Sequence, residues 1–122
     1  MSYKTQWTYF RDLRRDNPDT LGLVNADSLQ QLLRRLDKSF TAFFRRLKAN
    51  EKPGFPRFKS RNRFNSIEFT YANGCKLRMN AHDRMSFYIQ NVGALRMCYH
   101  RAIPDDANIK HVIIKRYNER WY

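Results

Sequence analysis

The spacing of apolar residues changes near residue 63, and this change constrains the fold more than any other feature. From Leu29 to Leu47 apolar side chains recur at intervals of three and four, which is typical of an amphipathic helix. From Ile67 onward they alternate with polar side chains, which is typical of strands exposed on one face. The sequence therefore predicts an α+β protein with helices in residues 1–50 and strands in residues 64–122.

Two helices are expected in residues 1–50. Ser2 can cap the first, which ends before Asn17-Pro18. Asp27, with Gln30 three residues later, resembles the capping box that begins the second. The apolar positions of the first helix are Tyr3, Trp7, Phe10 and Leu13, and those of the second are Leu29, Leu32, Leu33, Leu36, Phe40, Phe43 and Leu47. Together they predict a helical hairpin.

Short strands are expected in residues 64–122. The alternation predicts strands at 67–71 and 75–79, and Asn73-Gly74 between them is typical of a tight hairpin turn. This hairpin would carry Lys76 and Arg78 on one basic face. Further strands are expected at 85–89, 95–99 and 109–116, and another begins at Trp121. Strands at roughly ten-residue intervals predict a small antiparallel barrel or sandwich.

The junction at residues 51–63 separates the two parts and has the chemistry of a nucleic-acid contact. Residues 52–64 contain five cations, three phenylalanines and no carboxylate. Cations neutralise phosphates, exposed rings stack on bases, and Pro53 and Pro56 stiffen the backbone. At least one of Phe55 and Phe58 is expected to pack where the helices meet the strands. A solvated basic linker is the alternative interpretation.

Net charge favours a polyanionic partner. The chain has 24 Lys plus Arg against 11 Asp plus Glu, a net charge of +13 on 122 residues. Sixteen of these cations are arginines, whose planar guanidinium suits phosphates and base edges, so RNA or DNA is favoured over an anionic membrane. The apolar runs are too short for a membrane span of about 20 residues, and no secretion signal is recognised. A cytoplasmic, nucleoid-associated location is expected.

The residues expected to contact nucleic acid lie in all three parts of the chain. Phe55 and Phe58 are the candidates for stacking. The candidate cations are Arg34, Arg35, Lys38, Arg45 and Arg46 in the second helix, Lys52, Arg57, Lys59, Arg61 and Arg63 in the junction, and Lys76 and Arg78 in the strands.

No catalytic residue, metal or cofactor is expected in the chain. Asp105-Asp106 is the only adjacent pair of carboxylates and falls in a predicted turn, without the strand-borne partners that two-metal phosphodiester cleavage needs. Cys75 and Cys98 are expected to be reduced thiols. Cys98 and His100, with His82 or His111, form a loosely spaced alternative that could bind zinc.

Several short strings of residues resemble one family in order and spacing. They are Leu29-Gln30, Asp37-Lys38-Ser39-Phe40, Phe43-Phe44-Arg45, Gly54-Phe55-Pro56-Arg57-Phe58-Lys59, Asn91-Val92-Gly93, His100-Arg101-Ala102-Ile103-Pro104 and Ile109-Lys110. The chain resembles the TnpB-like (OrfB-type) proteins of insertion sequences over nearly its whole length. The string from Gly54 to Lys59 is the most distinctive part of the resemblance.

The resemblance implies the N-terminal part of a transposon-encoded, RNA-guided DNA endonuclease. Residues 1–50 would be recognition helices, and residues 64–122 an oligonucleotide-binding-like wedge barrel, expected to be incomplete because the family's first wedge strand is not in this sequence. These parts would hold guide RNA, target-adjacent duplex DNA, or both. Tyr3, Trp7 and Gln30 fall on the face that approaches the DNA, where Gln30 could pair with adenine. Helix capping by Gln30 and core packing by Tyr3 and Trp7 are the alternatives.

The family's RuvC-like nuclease domain lies beyond the region that this sequence matches. We therefore expect no catalysis by this chain alone. One alternative is a fragment that must associate with a RuvC-bearing chain. Another is the product of a decayed transposon gene that binds nucleic acid without specificity. Exposed barrel edges would favour a homodimer.

Overall fold

The computed structural model of the chain describes residues 2–79, 85–98 and 100–122. In these ranges the helices come first: α1 (Tyr3–Asp16), a short 3₁₀ helix (Leu21–Leu23) and α2 (Ala26–Lys48). The strands follow as β1 (Ser66–Thr70), β2 (Cys75–Met79), β3 (Met85–Ile89), β4 (Gly93–Arg96), β5 (His111–Tyr117) and β6 (Arg120–Trp121). The α+β class predicted from the change in periodicity is confirmed. Residues 51–63 contain neither a helix nor a strand.

Side-chain acceptors begin both helices. Ser2 caps α1 as predicted, and its Oγ accepts a hydrogen bond from the backbone N–H of Thr5 at 3.3 Å. The prediction that Asp27 caps α2 is wrong, because Asn25 Oδ1 accepts the backbone N–H groups of Asp27 and Ser28 at 3.0 and 3.1 Å. Asp27 lies inside the first turn, and its carboxylate is engaged elsewhere.

The strands form two antiparallel sheets, with orders β1-β5-β6 and β2-β3-β4. The predicted hairpin of 67–71 with 75–79 is wrong, since Phe69 of β1 lies opposite Val112 of β5, and Leu77 of β2 lies opposite Phe87 of β3. In the turn between β1 and β2 the left-handed residue is Ala72, with φ of 67°, rather than the Asn73-Gly74 pair. The described strands therefore make two three-stranded sheets, not a closed barrel.

The hydrophobic core joins the inner faces of the two sheets. Phe69 of β1 is buried against Cys75 of β2 and against Phe87 and Ile89 of β3. Partly buried apolar side chains surround them, namely Ile67, Tyr71, Leu77, Met97, Val112 and Ile114. The alternation that predicted strands also assigns the inward positions correctly at 69, 75, 87 and 89, because successive side chains of a strand point to opposite faces.

The last two strands form a hairpin that the sequence only partly predicted. The sequence predicts a strand at 109–116, and β5 begins two residues later than this, at His111. Its turn into β6 contains two consecutive left-handed residues, Asn118 and Glu119, with φ of 44° and 62°. This pair is typical of the tight turn that matches strand twist. β4 (Gly93–Arg96) lies earlier than the predicted strand at 95–99, and Tyr99 lies outside the described residues.

A buried carboxylate connects α2 to the strands. Asp27 is 5% exposed, and its Oδ2 accepts the backbone N–H of Thr70 at 2.5 Å. Its Oδ1 accepts the side-chain amides of Asn73 at 3.3 Å and Gln31 at 3.4 Å. Buried carboxylates are stable when donors satisfy their oxygens, so this network fixes the start of α2 against the end of β1.

No helix within the described ranges is long and apolar enough to cross a membrane.

Candidate nucleic-acid interface

The outer face of β2-β3-β4 is cationic. Cys75, Phe87 and Ile89 point into the core, so the alternate positions of the same strands point outward. In these three fully described strands, none of the outward positions carries a carboxylate. The outward residues are Lys76, Arg78, Ser86, Tyr88, Ala94 and Arg96. Such a face attracts phosphate groups, and its positive charge has no neutralising partner on the same strands.

Arg78 and Tyr88 are in close contact on this face. The guanidinium carbon of Arg78 lies 4.2 Å from the centre of the Tyr88 ring. This distance is well inside the limit of about 6 Å for a cation–π interaction. Lys76 lies directly opposite Tyr88 in the β2–β3 register, and Arg96 lies opposite Ser86 in the β3–β4 register. The sequence therefore predicted two members of this cluster, Lys76 and Arg78.

The sequence-based prediction missed Tyr88 and Arg96 as binding candidates. Both could have been found, because Tyr88 alternates with Phe87 and Ile89, and Arg96 alternates with Leu95 and Met97. Extending the alternation of β2 through β3 and β4 assigns all of these cations and the ring to one face.

The junction presents a second set of cations and one fully exposed ring. The exposed cations are Lys52, Arg57, Lys59, Arg61 and Arg63. Phe58 is 91% exposed between Arg57 and Lys59. Phe55 instead makes edge-to-face contacts with Phe40 and Phe43 of α2, at centroid distances of 5.7 and 5.3 Å, although it stays 64% exposed. Phe58 is therefore the ring that is free to stack on a base.

The cations of α2 form two stripes that lie about 90° apart around the helix. At 100° per residue, Arg34, Lys38 and Arg45 share one stripe, and Arg35 and Arg46 share another. Arg35 is half-buried beside Phe64 and Glu68, and the other four are exposed.

Tyr3, Trp7 and Gln30 occupy partly buried positions. Tyr3 lies beneath Arg34 of α2, whose guanidinium carbon is 5.8 Å from the ring centre. Trp7 is half-buried one turn further along α1, and Gln30 is half-buried in the first turns of α2. Tyr3 thus contributes to the contact between α1 and α2.

The two thiols differ in environment. Cys75 is buried in the core, and burial, followed by the negative charge of Asp27, raises the pKa of its thiol to about 11. Cys98 is exposed. His82, one of the candidate zinc ligands, lies outside the described residues. Within the described part of the chain, no group of three or more His, Cys, Asp or Glu side chains is arranged to hold a metal ion.

These features place two cation sets, the outer face of β2-β3-β4 and the junction, on exposed surfaces of the protein. Each set contains an aromatic ring, Tyr88 in the first and Phe58 in the second. Comparison with models of known protein families, with curated proteins and with solved structures gives no match.

Proposed function

We propose that this chain is a nucleic-acid-binding module related to the N-terminal part of TnpB-like RNA-guided nucleases. It holds guide RNA or target-adjacent duplex DNA and does not cleave either by itself. The observation that carries this proposal is the outer face of β2-β3-β4, which presents Lys76, Arg78 and Arg96 with Tyr88 and has no carboxylate at the outward positions of these three strands. In this proposal the two sheets belong to an oligonucleotide-binding-like wedge.

The junction supplies the second part of the binding surface. Arg57 and Lys59 are exposed on both sides of Phe58, in a segment stiffened by Pro53 and Pro56. Phosphate contacts from such residues act without sequence preference, and they release counterions. Binding is therefore expected to be strong at low salt and to weaken steadily as salt is added.

Fluorescence anisotropy tests the proposal, using a structured RNA and a DNA duplex of equal charge at several salt concentrations. If four to eight cations contact phosphates, the logarithm of affinity falls against the logarithm of salt with a slope of about −3 to −7. Arg57→Glu with Lys59→Glu should flatten this slope. Lys110→Glu with Arg120→Glu changes the net charge equally outside the two cation sets, so it should have the smaller effect.

Two results would count against this function. Equal slopes for the junction double variant and the wild type would show that the junction is a linker. Absence of measurable binding to either nucleic acid at low salt would overturn the proposal as a whole.

Exposed apolar side chains favour a second candidate function, association with a RuvC-bearing protein chain. Phe44 and Leu47 in the last turns of α2 are 53% and 52% exposed, and Phe55 lies near them against Phe43. Clustered exposed apolar side chains mark protein contacts. If this surface is the contact, the chain should co-purify with a RuvC-like domain supplied separately, and Phe44→Glu with Leu47→Glu should abolish co-purification. Unchanged recovery of the double variant would reject the surface as the contact.

A further inference from the structure

The groove beside Arg78 and Tyr88 has the features of a site for a single unpaired nucleobase. We propose that an unpaired base stacks on the Arg78 guanidinium, with Lys76 contacting the adjoining phosphate and Gln90 contacting the edge of the base. This inference rests on the nucleic-acid binding proposed above. It adds the class of ligand, namely a single-stranded segment of RNA or DNA rather than a fully paired duplex.

Tyr88 holds the guanidinium in position before any ligand binds. The ring is half-buried on the central strand of its sheet, and the Arg78 guanidinium carbon lies 4.2 Å from its centre. Arg78 itself is exposed, so the side of the guanidinium away from the ring is open to solvent. Unpaired bases stack on arginine guanidinium planes as well as on aromatic rings, and a pre-positioned partner lowers the entropic cost of binding.

Gln90 stands at the end of the groove where a base edge would lie. It follows β3 on the same face as Tyr88, and its side chain is exposed. Its backbone is fixed, because the carbonyl accepts Asn25 Nδ2 at 2.9 Å and the N–H donates to the Gly74 carbonyl at 3.1 Å. The side-chain amide offers both donors and an acceptor, which a base edge requires. Lys76, Arg78, Tyr88 and Gln90 line the groove together with the turn at residues 72–74.

A paired base cannot satisfy this arrangement. In a duplex both faces of each internal base are stacked, so Arg78 could not stack on one, and the Watson–Crick edges are occupied, so only the groove edges would remain for Gln90. Sequence-specific proteins accordingly bind bases of RNA mostly in loops, bulges and ends. Lys76, opposite Tyr88 in the register, is placed to neutralise the phosphate of a base that occupies the groove.

The test compares three single strands of equal length by fluorescence anisotropy: RNA, DNA of the same sequence, and a DNA strand whose central nucleotides are abasic. Tyr88→Leu should weaken binding of the base-containing strands about tenfold, because the guanidinium that stacks on the base is no longer held in position. It should leave the affinity for the abasic strand and the salt slope unchanged. Tyr88→Phe should retain the affinity. Tyr9→Leu replaces an exposed tyrosine of α1 and serves as the matched control.

Arg78→Lys gives a second test that preserves charge and does not alter the ring. Loss of the planar guanidinium should weaken base-containing strands and spare the abasic strand, whereas Arg11→Lys on α1 should change neither. Whichever of the RNA and DNA strands binds more tightly identifies the sugar that the site prefers. Tighter binding of either strand than of the abasic strand supports the inference.

The failures of the two proposals can be told apart. If Tyr88→Leu and Arg78→Lys weaken abasic and base-containing strands equally, the face binds phosphates alone, so the nucleobase site is wrong and the proposed function stands. If the wild type binds none of the strands and no duplex, both proposals are wrong. Circular dichroism melts of each variant show whether a loss of binding reflects unfolding.

Discussion

The carboxylate of Asp27 accepts a hydrogen bond from the backbone N–H of Thr70, which lies 43 residues further along the chain. The same carboxylate accepts the side-chain amides of Asn73 and Gln31. One side chain in the first turn of α2 therefore connects the end of β1, the turn that follows it and the next turn of its own helix.

Replacing Asp27 should destabilise the fold. Asp27→Ala would leave the backbone N–H of Thr70 without its acceptor and remove an acceptor from the Asn73 and Gln31 amides, so we expect the free energy of unfolding to fall by about 3 kcal/mol. Urea denaturation followed by circular dichroism measures the change. Asp19→Ala removes an exposed carboxylate near the 3₁₀ helix and should stay within about 0.5 kcal/mol of the wild type. Equal stability of the two variants would contradict the role assigned to Asp27.

Gly74 is required because a side chain at this position would collide with Asp27, and not because its backbone is left-handed. A Cβ at this position would lie 2.7 Å from Asp27 Oδ2 and 2.9 Å from Asp27 Cβ. We expect Gly74→Ala to destabilise the protein by about 1–3 kcal/mol, because the start of α2 would have to move. A Cβ at Gly54 meets nothing within 4 Å, so Gly54→Ala should be neutral or slightly stabilising. Thermal melts of the two variants compare the same chemical change at a crowded and an open position, and equal melting temperatures would refute the argument.

The buried thiol of Cys75 should make stability fall as the pH rises from about 9 to about 11. Its pKa is raised from an ordinary value of 9.0 to about 11 in the folded protein, by burial first and by Asp27 second. Between these values the folded state retains a proton that the unfolded state has released. The contribution of the thiol to the free energy of unfolding is therefore complete below pH 9 and is lost as the pH rises toward 11.

Comparing the wild type with Cys75→Ala separates the effect of this thiol from the effects of other groups that titrate in the same pH range. The difference in unfolding free energy between the wild type and Cys75→Ala should be constant near neutral pH and should shift against the wild type above pH 9. Cys98→Ala, which removes an exposed thiol, should follow the wild-type profile. A constant difference across the whole pH range would show that the Cys75 thiol titrates normally.

Substitution of Phe55 should mainly lower stability, and substitution of Phe58 should mainly weaken nucleic-acid binding. Phe55→Ala removes two edge-to-face contacts with α2 and should lower the free energy of unfolding by about 1–2 kcal/mol, less than full burial would imply. Phe58→Ala should leave stability within about 0.5 kcal/mol and weaken nucleic-acid binding several-fold. Thermal melts and anisotropy on the same samples measure both quantities. The opposite pattern would reverse the two assignments.

Local patterns in the sequence predicted the helices and strands better than they predicted which strands pair with each other. The helical period from Leu29 to Leu47 and the alternation from Ile67 to Met79 both correspond to elements of the structure. The pairing of β1 with β5 joins segments about 45 residues apart, and no periodicity reports such a contact. Asn73-Gly74 resembled a hairpin turn, but the glycine is needed there because Asp27 occupies the adjacent space.

The candidate interface was predictable to a similar extent. Alternation placed Lys76 and Arg78 outward, and the structure agrees. The contact of Arg78 with Tyr88 depends on the β2–β3 register, which follows from strand pairing and not from the spacing of residues within one strand. Likewise, composition alone could not say which of the two junction phenylalanines contacts α2, since both lie in the same basic segment.

The Asp27 network fixes the first turn of α2, so a small change of angle there would be magnified at the far end of the helix. Arg46 is 19 residues beyond Asp27, so the rise of 1.5 Å per residue separates them by about 28 Å along the helix axis. A rotation of about 10° at the first turn would therefore move the far end of the helix by about 5 Å. The hydrogen bonds of one buried carboxylate, together with the packing of Phe55 on Phe40 and Phe43, therefore contribute to the position of the distant cations and of the exposed Phe44 and Leu47.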